Sequence, residues 1–291
     1  MQRLLAVFFS LAMALGGYVA RAAGDTKAAE LIAQARAALG GDGKLSNVQG
    51  LSCTGTVQRT MGDRQIGGEI TLDLQLPDKF LRTDSISPMG DAALVVTEQG
   101  VNRDKVLRST KTLNTPPGAI IRTPPPPAPG SEAEAQMLRN SRAELARLTL
   151  AFLAAAPRAM PIELTYAGEA ESPDGKADVI DAKGPGSFAA KLFLDKASHR
   201  PLLLMYRGAA PAMAMRMQRS DGPPPPQQTV PTPSASEQVD ITMFLDDYRP
   251  VDGIMLPHHI TRAIDGKPNE EWTFKTIRIN PAFKQDAFAA K

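Results

Sequence analysis

The sequence predicts a mainly β protein with helices, built on a curved antiparallel sheet that a helix covers on its open side. Three observations carry this. Segment after segment alternates apolar and polar residues with a period of two, Asp-Gly pairs recur between such segments, and no helical stretch separates one strand from the next as a parallel βαβ fold would require.

The clearest alternation is Ile70, Leu72, Leu74 and Leu76 against Thr71, Asp73 and Gln75. A strand of this kind has one dry face and one polar face. Further strands are expected near 79–86, 92–98 and 101–109, then near 162–170, 176–182, 187–195, 201–207, 253–263 and 269–279. Val239, Ile241, Met243 and Leu245 repeat the pattern against Asp240, Thr242, Phe244 and Asp246. Asp174-Gly175, Asp252-Gly253 and Asp265-Gly266 tolerate the positive φ angles of tight hairpins.

Two helices are expected. The first is capped by Asp25 or Thr26, carries Ala28, Leu31, Ile32, Ala35 and Leu39 as its apolar stripe, and ends at Gly40-Gly41. The second covers 132–156. Its start is charged, and its end, Leu148 to Leu153, is apolar nearly all round, so it must be covered on more than one side. Proline-rich insertions near 114–131 and 208–236 are expected as solvated, extended excursions from a single domain over 23–291.

The beginning of the chain reads as a secretory signal peptide over 1–22. Arg3 gives a positive start, Leu4 to Leu15 is apolar apart from Ser10, and Ala20-Arg21-Ala22 supplies small residues at a processing site. With no cysteine there, lipidation is not expected, and the expected compartment is the periplasm, with no membrane-spanning segment after cleavage. The formal net charge is +2, and 1–22 holds two arginines and no acid, so the remainder is neutral. A nucleic-acid partner needs a basic surface and is not expected. The sole cysteine, Cys53, lies in an alternating apolar stretch and reads as a buried small hydrophobe.

No nucleophile elbow, zinc-helix motif or phosphate-cradling glycine loop occurs, so neither catalysis nor a cofactor is expected. His258 and His259 are neighbours, and on a strand they point to opposite faces, which leaves no shared metal. Asp246, Asp247 and Asp252 read as solvated turn carboxylates. Met213, Met215 and Met217 crowd one stretch and suit an adjustable apolar flap, with core filling as the alternative.

The C-terminal third carries a pattern: Asp247-Tyr248-Arg249-Pro250-Val251-Asp252-Gly253-Ile254-Met255-Leu256-Pro257, then Trp272-Thr273-Phe274, Ile277-Arg278-Ile279-Asn280-Pro281, Phe283 and Phe288. It resembles the outer-membrane lipoprotein-sorting (LolA/LolB/RseB-like) superfamily, as does the opening from Leu31 to Val57. The resemblance implies an incomplete, half-open β-barrel with helices over its open side and an apolar cavity that takes acyl chains. The implied partner is a lipid or lipoprotein acyl chain. An envelope sensor or protein-interaction module using the same groove for an envelope protein is the alternative. The proline-rich insertions lie outside the family pattern.

The expected cavity lining is Leu72, Leu74, Leu148, Phe152, Met213, Met215, Met217, Ile241, Met243, Leu245, Leu256, Trp272 and Phe274. Val239 should share their face. Trp272 and Phe274 are out of phase with Ile277 and Ile279, so a bulge is expected between the pairs. As a lining residue, Phe152 should tolerate aspartate in folding better than in ligand binding.

Overall fold

A computed structural model describes residues 20–61, 64–87, 94–114, 119–121, 127–173, 175–209, 217–219 and 238–289. Helix α1 (Ala20–Ala38) and the short α2 (Asp42–Leu45) lead into β1 (Gly50–Met61), β2 (Arg64–Gln75), β3 (Lys79–Ile86), β4 (Leu94–Asn102) and β5 (Lys105–Leu113). The short β6 (Ala119–Ile121) precedes α3 (Glu132–Leu153), and β7 (Glu163–Ser172), β8 (Gly175–Gly184), β9 (Phe188–Asp195) and β10 (Pro201–Ala209) follow. The chain ends with β11 (Met217–Arg219), β12 (Gln238–Val251), β13 (Ile254–Ile264) and β14 (Lys267–Ile279).

Twelve of these strands form one antiparallel sheet in the order β5-β4-β3-β2-β1-β14-β13-β12-β10-β9-β8-β7. The edge strands β5 and β7 do not pair, so the sheet stays open. It curls all the same, because α3 touches β3, β4 and β5 on one wing and β9 and β10 on the other. This is the incomplete, curved barrel that the alternation and the resemblance imply. Helix α1 packs against β7 at the far edge, burying Ala28, Leu31, Ala35 and Leu39.

Turn chemistry fixes the hairpins. Asp252 and Gly253 have φ of 49° and 77°, and Asp265 and Gly266 have 46° and 77°, the left-handed pair of a type I′ turn. The expected bulge is present: Thr54 faces Thr276 while Gly55 faces Phe274, so Lys275 is the extra residue. It returns Ile277 and Ile279 to the face of Trp272 and Phe274, where Ile277 is buried and Ile279 packs against the same core. A Cβ on Gly55 would lie 2.0 Å from the Thr273 carbonyl oxygen, so only glycine fits opposite the bulge.

Two expectations change. Helix α1 already runs at Ala20, upstream of the expected cap at Asp25 or Thr26 and through the expected processing point, because the alanine-rich 20–24 continues its helical pattern. The proline-rich insertions are not wholly unpaired: β6 of the first pairs with β11 of the second, Met217 facing Ile121.

Candidate ligand-binding site

The inner face of the sheet and the apolar end of α3 form one continuous core. Ser131 caps α3 by accepting from the Glu134 amide at 3.2 Å, and Ala154 ends it in the left-handed region. Between them Leu145, Leu148, Leu150, Phe152 and Leu153 are buried on all sides. Their partners on the sheet are Leu72 and Leu74 of β2, Ile241, Met243 and Leu245 of β12, Leu256 of β13, and Trp272 and Phe274 of β14, all in the same cluster, with Val239 half-buried beside them. The Phe152 and Phe274 rings sit 6.3 Å apart, and Trp272 lies 6.2 Å from Phe274. Arg36 of α1 donates to the Leu153 carbonyl at 3.0 Å, tying α1 to the end of α3.

Ten of the thirteen residues expected to line a cavity are therefore together, as packed core. Met217 lies in β11, and Met213 and Met215 fall outside the described residues. The expectation that Phe152 tolerates aspartate fails on burial: its side chain is 0% exposed, so it has a full set of contacts to lose. Cys53 is buried, and burial pushes its thiol far up. His258 points inward, within 3.0 Å of the Leu256 carbonyl, and His259 points outward to Glu271 at 2.7 Å, on opposite faces of β13.

A charged network missing from the sequence reading sits beside this core. Arg82 is 4% exposed and Asp84 2%. The Arg82 guanidinium reaches Asp84 at 2.9 Å and Glu270 at 2.5 Å. Arg59 joins the same two acids at 2.5 and 2.6 Å. Arg262 pairs with Glu144 of α3 at 3.3 Å and donates to the Tyr206 hydroxyl, and Arg147 of α3 bridges Glu144 at 3.3 Å while stacking 3.7 Å above the Tyr206 ring. Trp272 lies between Arg82 and Arg262, 4.7 and 5.4 Å from its ring. Burial alone would raise the Glu270 carboxyl, but Arg82 and Arg59 outweigh it and hold it well below the usual carboxylate range. Glu144 is likewise held low, by Arg262 and Arg147 against burial. The network clamps the middle of α3 to β13 and, through Glu270, to β1 and β3.

Among the described residues, cavities flank α3 on two sides. One, of about 360 Å³, is polar and lies against β4 and β5 near Arg59 and Asp84. The other, about 350 Å³, opens between the wings, where the β2–β3, β4–β5 and β8–β9 turns meet α3 and the segment 157–160. Its floor includes Leu145 and Phe188, both members of the central core. None of the ten residues that pack together in the core lines either cavity. What could have pointed to this mouth in the sequence is the arginine pair at 139 and 142, one helical turn apart just before the apolar end of α3.

No family model matches the chain, and no curated protein matches it. Among solved structures the fold is similar to a domain described as an outer membrane lipoprotein-sorting protein from Vibrio parahaemolyticus, with 12% identity over 91% of this chain and 97% of that one and a TM-score of 0.46. The likeness is one of fold. A DUF1329 family protein from Desulfovibrio piger has 8% identity over 92% of this chain and 97% of its own, at 0.46. A LolA superfamily protein from Nitrosomonas europaea has 8% identity over 90% and 96%, at 0.45. Among the described residues no helix is long and apolar enough to cross a membrane, and no group of three potential metal ligands gathers.

Proposed function

We propose that this chain is a periplasmic binding and carrier protein, not an enzyme, that holds lipid or lipoprotein acyl chains between the sheet and α3. One observation carries the reading. A twelve-stranded sheet curls around α3, and the buried end of that helix fills it with Leu148, Leu150, Ala151, Phe152 and Leu153, while the hydroxyl of Thr149 among them turns back to donate to the Leu145 carbonyl. Acyl chains present the same kind of surface as Leu148, Leu150 and Leu153. Withdrawing the helix end exchanges one apolar filling for another without breaking a strand pair, and the mouth cavity floored by Leu145 and Phe188 gives the entry. The lining is then the set Leu72, Leu74, Ile241, Met243, Leu245, Leu256, Trp272 and Phe274, with the Met213 to Met217 stretch as flap. The signal-like beginning supplies the compartment.

Protein purified from the periplasm should carry acyl-bearing mass in native mass spectrometry and should bind a fluorescent fatty acid. The single tryptophan, Trp272, reports the event, since Arg262 over its ring is tied to Glu144 of α3, and its emission should shift on binding. Absence of co-purified lipid together with no probe binding would sink the carrier reading and leave the envelope-protein partner in its place. Replacing Met213, Met215 and Met217 with serine should weaken probe binding while leaving the melting temperature nearly unchanged. A large fall in melting temperature would assign these methionines to the core instead.

A further inference from the structure

We infer that the mouth beside α3 recognises an anionic headgroup, with Arg103, Arg139 and Arg142 holding the carboxylate or phosphate of an amphiphile whose tail runs over Leu145 and Phe188. This rests on the carrier reading and names its ligand class. All five residues line the same cavity. Arg139 and Arg142 stand three positions apart on α3 and so share one face. Arg103 comes from the exposed β4–β5 turn, where φ is 58°.

Arg142 Nε and Nη2 donate to the Arg103 carbonyl at 3.3 and 3.0 Å, which fixes these two residues side by side. A guanidinium has five N–H donors, so this contact leaves Arg142 with several to spare. Arg139 is held by Glu132 and by Gln136, and its stem lies 3.5 Å from where a Cβ on Gly186 would stand, in the β8–β9 turn of the other wing. The arginines thus span the gap between the wings.

Asp78 and Asp104 also line the cavity, yet among the described residues neither forms an ion pair with an arginine, and the guanidiniums of Arg103 and Arg142 have no carboxylate within 4.0 Å. Arg139 is already paired with Glu132, but Arg103 and Arg142 stand side by side without a carboxylate at an opening whose walls include Ala143, Leu145, Met160 and Phe188, and an anion that accepts N–H bonds from both relieves their repulsion. The apolar floor directly below makes the complementary ligand an anion with an apolar tail and not a free anion.

The test compares a fluorescent fatty acid with the fatty alcohol of the same chain and label, titrated against the full chain. Wild type should prefer the acid by about tenfold or more, as charge-assisted bonds to guanidinium require. In the triple variant Arg103→Gln, Arg139→Gln, Arg142→Gln that preference should disappear. Arg103→Gln alone, on an exposed turn, should reduce it about threefold and serves if the triple variant does not fold. Equal binding of acid and alcohol by wild type, or a preference that survives both variants, overturns the headgroup assignment and leaves the carrier reading standing. Binding of neither probe overturns both. Inorganic phosphate forms the third arm: if millimolar phosphate displaces the acid completely, the arginines take a free anion and the amphiphile assignment is wrong.

Discussion

Replacing Glu270 with alanine should destabilise the protein by about 2–3 kcal/mol, the cost of removing charge-assisted hydrogen bonds from a buried guanidinium that keeps one of its two carboxylates. Glu270 is 8% exposed and bonds both Arg59 and Arg82. Asp84 remains to both arginines, and Arg82 is left with one carboxylate where it had two. Urea unfolding reads the loss directly, and a change comparable to that from removing the exposed Glu169–Lys196 pair would show the network to be ornamental. The effect depends on pH with a definite sign. The folded carboxyl lies below its ordinary 4.5, so its contribution is complete above that value and is lost as pH falls through it toward the depressed folded value. Glu270→Gln removes this dependence. Its deficit relative to wild type should be largest near neutrality and shrink below pH 4.5.

The second large effect is Phe152→Asp. Truncating a buried phenylalanine costs about 3–5 kcal/mol by itself, and a carboxylate among Phe274, Trp272 and the leucines of α3 adds the penalty of an unpaired buried charge. Thermal melts should show either no cooperative transition or a collapse of the melting temperature. Phe152→Leu keeps the apolar volume closer and should cost about 1–2 kcal/mol, which makes it the variant for ligand titration. A folded, stable Phe152→Asp would mean that the end of α3 is not held in the sheet at all.

The apolar half of the interior was legible because alternation is a local signal. Leu72 and Leu74, or Ile241, Met243 and Leu245, declare their face within a single strand, and the phase conflict between Trp272–Phe274 and Ile277–Ile279 declared the bulge at Lys275. The charged half was harder because its members are scattered from Arg59 to Glu270. Yet each member outside α3 occupies an inner position of its own strand. Arg59 is in phase with Val57, Arg82 and Asp84 with Phe80 and Ile86, Arg262 with Ile260, and Glu270 with Trp272. Charges at inward positions of four strands could have been read as a network; what no single strand could give is their pairing, which depends on β1, β3, β13 and β14 being near neighbours. Nor could alternation distinguish a lining from a filling, since a residue facing a ligand and one facing Phe152 have the same pattern. The start of α1 was missed because an N-cap residue is only a preference, and the alanine pairs Ala22-Ala23 and Ala28-Ala29 that bracket Gly24 to Lys27 let the helix pass through Asp25.

The middle of the sheet joins the first strand to the last: Leu51 of β1 faces Ile279 of β14, and Asn280 accepts from the Gln49 and Gly50 amides to lock the junction. Everything on either side is a meander of neighbours in sequence, β1 to β5 on one wing and β7 to β14 on the other. The order of assembly follows. Each wing can pair its hairpins as its own residues become available, but the seam must wait for the C-terminus, and closing a loop of over two hundred residues carries an entropic cost of about 5 kcal/mol before the first contact across it forms. Until then the earlier wing waits with Leu72, Leu74 and Phe80 bare and with Arg82 and Asp84 lacking Glu270. Folding of this chain should therefore be slow and sensitive to truncation at its end. Loss of the last strand would expose β1 as a long free edge, open to pairing with another chain.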